Sequence, residues 1–484
     1  MRNRQILALT CFGLVLAGAE NIRAESINDV ELRNLAKYYS TGVSQQPRTE
    51  PIPPPTAPKA ELGKKLFFSK DLGGDKDTAC VSCHHPLLGG GDHLSLPIGS
   101  QATIPDLLGP GRTHSATRAR ATGMLYDGGP TVPRVAPTTF NAALWQQVMF
   151  LDGRVEALPD GGVRTPDTPF GVADPKAPNL IHGQALFPVT SPEEMASSAF
   201  EGKSNDEIRD ALAQRVSANP QWQVEFDRVY GDEAVITFSR IAESIAQYEA
   251  SQWLTDSPWQ AFMEGDNHAI NRQEKAGATL FFQEVKQGGA GCAACHNGEN
   301  FSDEAFHALA MPQIGRGKDD GVTGSDDFGR MRETGKIKDK YSFRTPQLLN
   351  VSATYPYSHA GGYETLEDVV RHHLNVEEAV NNYDFTLTNL SQPGLQNTHA
   401  EANTRKALSV VKRRQENGNT PLKNVDLSNK QVKQLVSFLH TLTDPCVEKP
   451  KCLAQWVAEP DAGLNILEAQ FAAPQSRTQF STNR

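Results

Sequence analysis

Apolar residues along the chain recur mainly at helical spacing. Ile241, Ile245 and Tyr248 fall on one face of the stretch Val235 to Leu254, and Val432, Leu435, Leu439 and Leu442 do the same near the end. Leu366, Val370 and His373 share a third face at i, i+4 and i+7, behind a Thr365-x-x-Asp368 pattern that reads as a helix start. No convincing set of alternating strand positions stands out, so the pattern predicts an all-α fold. Elsewhere proline, glycine and polar residues dominate. Pro47 to Pro58 reads as an extended strap, and Ser100 to Pro133, Leu158 to Gly183 and Val376 to Ser428 read as long loops.

The pattern also repeats. Gly63-x-x-Leu66-Phe67-Phe68 ends 12 residues before Cys80, and Gly277-x-x-Leu280-Phe281-Phe282 ends 10 residues before Cys292. A repeat at so long an interval predicts two tandem modules rather than a solenoid. The modules are expected over residues 59–255 and 256–458, after an extension at 25–58 and before a tail at 459–484. Residues 1–24 read as a cleavable export signal: Arg2 and Arg4 precede the apolar run Ile6 to Ala19, and small residues follow at Ala17, Ala19 and Ala24. Cys11 belongs to that signal. Past it, no apolar run nears the ~20 residues a membrane helix needs, so no membrane anchor is expected. The 47 Lys and Arg against 57 Asp and Glu give a net charge of −10. With no long basic tract, nucleic acid is not a partner.

The remaining cysteines carry the chemistry. Cys80 and Cys83 precede His84, and Cys292 and Cys295 precede His296, which makes two Cys-x-x-Cys-His motifs. Composition alone predicts about 0.003 copies of this haem attachment pattern in the chain. Each pair of thiols can form thioethers to the two vinyl groups of one haem, and the next His supplies an imidazole to the iron. A redox dithiol or a pooled zinc site has no need of a His after each pair. Two c-type haems are therefore expected. Cys446 and Cys452 lack a following His, and in an oxidising periplasm they read as a structural disulfide.

Each haem iron has a second axial position. The seven methionines end at Met331, and the distal ligand of the second haem is expected downstream of His296. His373 lies with the apolar residues of its helix, whereas His372 is turned by about 100°. His373 is the predicted ligand, against the alternative of a core histidine.

These residues and several further motifs match a known family. They are Leu62 to Phe68, Cys80 to His84, Arg134 to Thr138, Phe150 to Arg154, Glu194-Met195, Cys292 to His296, Asn300 to Asp303, Phe343 to Pro346, and Thr354-x-Pro356-Tyr357-x-His359-x-Gly361. In their order, the chain resembles the bacterial di-haem cytochrome c peroxidases, and more closely their MauG-like branch, over nearly its whole mature length. The resemblance implies two cytochrome c-like domains, with the N-terminal haem as the peroxide site and electrons entering through the C-terminal haem. In the peroxidases a Met lies 17 residues after the Pro of Thr-x-Pro as the distal ligand, and in MauG a Tyr; here that position is His373. Two nitrogen ligands would lower that haem's potential relative to His/Met ligation. The residue after Ile98-Gly99, a removable His in typical peroxidases, is Ser100, which implies an open position on the first iron; His93 and His114 are the possible substitutes.

Glu194 matches the distal carboxylate that moves a proton between the peroxide oxygens, although Thr190 replaces the Gln that often accompanies it. The Trp between the haems of relatives is Leu151 here, and nothing in the sequence places Trp145 there instead. The Asn that helps bind calcium is Val135, which leaves carbonyl oxygens of Thr354 and Pro356 as possible calcium ligands. His359 is expected in structural hydrogen bonding, and the cluster Arg405, Lys406, Lys412, Arg413 and Arg414 as a solvated helix face, with docking of an acidic partner as the alternative.

Three functions follow. The first is a periplasmic peroxidase that reduces hydrogen peroxide with electrons from a small donor protein, a cytochrome c or cupredoxin. The second is a MauG-like oxidase that uses a high-valent di-haem state to modify a side chain of a partner protein. The third is a di-haem electron-transfer cytochrome without peroxidase activity.

Overall fold

The computed structural model describes residues 27–41, 51–115 and 129–472. The export signal at 1–24 lies outside them. Helices dominate, and strands are two or three residues long. Val148–Met149, Val155–Ala157 and Val163–Arg164 form a small antiparallel sheet in which Met149 faces Val155 and Glu156 faces Arg164. Leu107–Leu108 pairs parallel with Gln470–Phe471, and Phe306–His307 antiparallel with Phe343–Arg344.

The repeated motif is a repeated helix crossing. The Pro58–Phe68 helix, with proline at its first position, packs along the Phe238–Ser251 helix. The Arg272–Phe282 helix packs in the same way along Asn429–His440. Its start is fixed by Asn271, whose side chain accepts from the Gln273 and Glu274 amides while Glu274 accepts from the Asn271 amide. A Cβ on Gly63 would overlap the Ser244 carbonyl, and one on Gly277 the Gln434 carbonyl. Glycine therefore recurs because each crossing brings backbone against backbone. Gly277→Ala should force the helices apart and cost about 1–3 kcal/mol, read as a lowered urea midpoint; an unchanged midpoint would mean that the crossing has slack.

Two main cores follow. The first contains Leu66, Phe67, Phe68, Trp222, Phe226, Ile241 and Tyr248; the second contains Trp259, Phe262, Phe281, Phe282 and Phe438. The first and last described segments cross between them. Leu32 and Ala36, on the Asp29–Tyr38 helix, join the second core, while Val447, Leu453, Trp456, Leu464, Ile466 and Leu467 join the first. Tyr248 donates to the Trp456 carbonyl at 2.7 Å, and Trp456 Nε1 donates to Ser251 O at 3.2 Å. Cys446 and Cys452 are disulfide-bonded near the start of this return, their Cα atoms 5.4 Å apart. The cores thus do not end at residues 58 and 458.

The stretch from Val376 to Ser428 is not a single loop. It holds the helices Val376–Asn382 and Ala400–Glu416. The longer of these buries Ala407, Leu408 and Val411 together with the polar Asn403 and Thr404. Such a narrow apolar stripe under a charged face hides its period.

Candidate functional site

A cavity of about 760 Å³ is lined by both Cys-x-x-Cys-His motifs. Each motif folds the same way. A short tight turn, Cys80–Ser82 or Cys292–Ala294, is closed by the His84 amide donating to Cys80 O at 3.1 Å and the His296 amide to Cys292 O at 2.9 Å. This puts both thiols of each motif and its imidazole on the cavity wall. The four thiols are not bonded to one another. Burial pushes Cys80 and Cys292 up to about 12 and raises Cys83 as well.

The three histidines are aimed by backbone carbonyls. Nδ1 donates to Gly90 O at 3.3 Å in His84, to Phe301 O at 3.0 Å in His296 and to Val369 O at 2.8 Å in His373. A carbonyl can only accept, so each ring keeps its proton on Nδ1 and leaves Nε2 as a metal ligand. Burial also lowers the basicity of all three, His296 to about 4, which favours the neutral form a metal requires. The His296 and His373 rings have centroids 6.3 Å apart. Two imidazoles on opposite sides of one metal, each bonded at about 2 Å, have centroids roughly 6 Å apart. The thiols and imidazoles present therefore fit covalently attached haem, with His296 and His373 on one iron.

His373 comes from the Leu366–Leu374 helix, capped by Thr365 Oγ1 accepting from the Asp368 amide at 3.1 Å. Leu366 and Val370 line the cavity beside it. His372 points away and is fully buried, with Nδ1 2.7 Å from the Tyr363 hydroxyl and Nε2 2.7 Å from Leu309 O.

Neither His93 nor His114 lines the cavity. His93 Nε2 donates to Ala353 O at 3.0 Å, and its ring stacks on Tyr355 at 4.0 Å. Ser100 is buried, its hydroxyl donating to Pro192 O at 3.0 Å. Glu194 does line the cavity, on a single wide π-type turn, Pro192–Ala196, a feature that recurs at functional sites. A Cβ on Gly99 would overlap the Glu193 and Glu194 carbonyls, so this glycine seats the turn. Behind it the buried Arg112 donates to Ile98 O at 2.7 Å and Gly99 O at 3.0 Å. Burial raises the Glu194 carboxyl above its ordinary value, while Arg154, 3.8 Å away, opposes the rise.

Three cavity residues were not predicted. Glu249 is buried in the Phe238–Ser251 helix, its Oε2 has no hydrogen-bond partner among the described residues, and desolvation pushes the carboxyl up to about 8. Its signal was present: it stands four residues after Ile245, on the apolar face. Trp145 lines the cavity under the Arg344 guanidinium, 3.5 Å from the ring centre, and Leu151 lines it too. The third residue is His307, beside Cys295, whose Nε2 lies 2.8 Å from the Asp303 carboxylate.

Arg134 ties the wall together, reaching Asp152 at 2.6 Å through Nη1 and Asp327 at 2.7 Å and 2.8 Å through Nε and Nη2. Thr354 and Pro356 also line the cavity. The Thr354 hydroxyl donates to Val351 O at 3.2 Å, and Val135 brings an apolar side chain. Two carbonyls are a poor match for calcium, which takes six to eight oxygens. His359 stacks on Phe343 at 4.1 Å, and its carbonyl accepts from the Val135 amide at 2.9 Å; its Nδ1 makes no hydrogen bond among the described residues. In the basic cluster, Lys412 pairs with Glu377 at 2.7 Å and Arg405 with Glu401 at 2.8 Å. Among the described residues no helix is long and apolar enough to cross a membrane.

A family model for the di-haem cytochrome c peroxidases matches residues 57–268. The cytochrome c551 peroxidase of Nitrosomonas europaea is 30% identical over 319 residues, 66% of this chain and 73% of that one. The methylamine utilization protein MauG of Methylorubrum extorquens is 27% identical, over 71% of this chain and 77% of that one. Among solved structures, a MauG-like protein associated with microbial copper homeostasis shares the fold with a TM-score of 0.54 at 20% identity, covering 85% of this chain and 98% of that one. The diheme peroxidase BthA from Burkholderia thailandensis does so with a TM-score of 0.52 at 18% identity, over 88% and 94%.

Proposed function

The chain belongs to the di-haem cytochrome c peroxidase family, and from that membership we propose that its first-module site reduces hydrogen peroxide to water with two electrons entering through the second. The observation that carries this reading is the cavity shared by two Cys-x-x-Cys-His motifs, with a buried carboxyl, Glu194, on its first-module wall. When bound, the two haems supply the redox chemistry, taking up the oxidising equivalents of peroxide and carrying electrons.

The side chains do the rest. Cys80, Cys83, Cys292 and Cys295 attach the haems, and the Gly90, Phe301 and Val369 carbonyls hold His84, His296 and His373 with Nε2 free to ligate. Glu194 takes a proton from the nearer peroxide oxygen and returns it to the farther one, which leaves as water. Its raised pKa brings proton release closer to neutral pH, and Arg154 keeps the carboxylate accessible. With Ser100 bonded to Pro192 O and His93 to Ala353 O, neither competes with peroxide for the first iron.

Export to the periplasm is supported by the Cys446–Cys452 disulfide and by the attachment motifs. A small cytochrome c or cupredoxin is the proposed donor. A MauG-like reading, oxidation of a partner protein's side chain, shares the open first site and differs only in what supplies the electrons. Calcium has little support, because Val135 offers no oxygen donor from its side chain.

Electron paramagnetic resonance of the diferric protein tests the reading. One high-spin and one low-spin signal are expected, with the high-spin signal lost on adding stoichiometric peroxide. His373→Ala should turn the low-spin signal high-spin. Two low-spin signals indifferent to peroxide would favour the electron-transfer cytochrome.

A further inference from the structure

Behind His373 lies a phenol–imidazole pair that the reaction above does not use. His372 Nε2 faces the Leu309 carbonyl at 2.7 Å and must donate to it. With the ring proton on Nε2, Nδ1 is the acceptor, and the Tyr363 hydroxyl 2.7 Å away is the donor. Tyr363 is buried, and its ring stands edge-on to Tyr383 at 5.5 Å, which in turn meets Phe385 at 4.8 Å. Tyr383 and Phe385 are both partly exposed. An aromatic series thus runs from the helix that carries the second iron's ligand out to the surface. Inward, His372 and His373 have ring centres 6.3 Å apart, the same spacing as His373 and His296.

Other phenols are placed differently. Tyr357 and Tyr383 donate to backbone carbonyls, Val351 O at 3.1 Å and Gly362 O at 2.8 Å. These are poor proton acceptors. Tyr341 lines the cavity and donates to Asp326 at 2.9 Å, but the Lys340 ammonium lies 5.0 Å from its ring centre, where positive charge opposes removal of an electron.

We propose that Tyr363 is a redox-active residue that relays electrons between the second haem site and the Tyr383 surface. The proposal rests on the peroxidase reading, because peroxide supplies the oxidant. Peroxide is the oxidant: it takes two electrons by way of the second haem site, and Tyr363 replaces them one at a time, being reduced again by the donor protein between the two. The phenol proton moves along the hydrogen bond to His372 Nδ1, leaving a neutral tyrosyl radical and a protonated imidazole. An electron from the donor protein, tunnelling past the Tyr383 ring without oxidising that phenol, reduces the radical, and the proton returns to the phenolic oxygen.

The test uses the haem-loaded full chain, grown with ring-deuterated or ordinary tyrosine and mixed with hydrogen peroxide without a reductant. Samples are frozen at intervals and read by electron paramagnetic resonance. A radical signal whose hyperfine splitting changes with deuteration should form in the wild type, persist in Tyr341→Phe and disappear in Tyr363→Phe. The ferric haem spectra before peroxide should be the same in all three, which shows that the variants are folded. A signal that survives Tyr363→Phe, one that vanishes in Tyr341→Phe, or haems that respond to peroxide with no tyrosyl signal would each overturn the relay. Haems that do not respond to peroxide at all would sink the peroxidase reading, and the relay with it.

Discussion

Glu194→Gln should slow reduction of peroxide by about 10² to 10⁴, the usual worth of a positioned general acid–base group, while both haems stay attached. The amide has the shape of the carboxylate but cannot accept a proton from one peroxide oxygen and pass it to the other. None of the groups that hold haem is disturbed, because the Pro192–Ala196 turn is seated by Gly99 and by the Arg112 contacts behind it. The pH profile adds a second readout. Burial raises the Glu194 carboxyl, and the active form is the ionised one, so the wild-type rate should climb with pH through that raised pKa. In the Gln variant this limb should be missing. Stopped-flow measurement of peroxide consumption decides it: a rate within a factor of three of the wild type, with the limb retained, would remove Glu194 from the mechanism.

Much of this site could be read from spacing alone. The two attachment motifs need only five adjacent residues each, and the helix that presents His373 announces itself through Thr365, Leu366 and Val370. The structure separates His372 from His373 as the 100° step demands, one ring held by Tyr363 and the other facing His296. What spacing could not supply are contacts between distant segments. Trp145 lies under Arg344, 199 residues away in sequence, and no local pattern joins them. The exchange between cores of the segments around Leu32 and Trp456 has the same character, because these look like ordinary apolar residues of an extension and a late segment. The Ala400–Glu416 helix escaped for a different reason: it buries polar Asn403 and Thr404 in place of part of its apolar stripe. Gly63 and Gly277 stood at matching places in the repeat, but only the crossing helices show that each excludes a Cβ.

Arg134→Met should have the largest effect on stability, about 3–5 kcal/mol, because it strands two buried carboxylates. Asp152 and Asp327 are both buried and share this guanidinium, and the second cation of Asp152, Arg154, stands farther off at 3.4 Å. Burial by itself would raise their pKa values. Arg134 outweighs it, holding Asp327 down to about 2 and Asp152 well below the usual carboxylate range. The sign of the pH dependence then differs between the two proteins. In the wild type the folded-state values lie below the unfolded value of about 3.9, so the contribution is complete above that pH and lost as pH falls toward 2. Without the guanidinium, burial prevails and the folded-state values rise above the unfolded one, so protonation favours the folded form. The variant should recover stability between pH 7 and pH 5, where the wild type stays nearly level. Urea unfolding at the two pH values measures both, and a penalty below 1 kcal/mol, or one equal at pH 7 and pH 5, would mean that the carboxylates find other partners. Arg154, 3.4 Å from Asp152 and 3.8 Å from Glu194, is the nearest such partner. If it swings toward the stranded Asp152, Glu194 loses its cation and its pKa rises further, so the variant's peroxide rate at neutral pH should fall along with its stability.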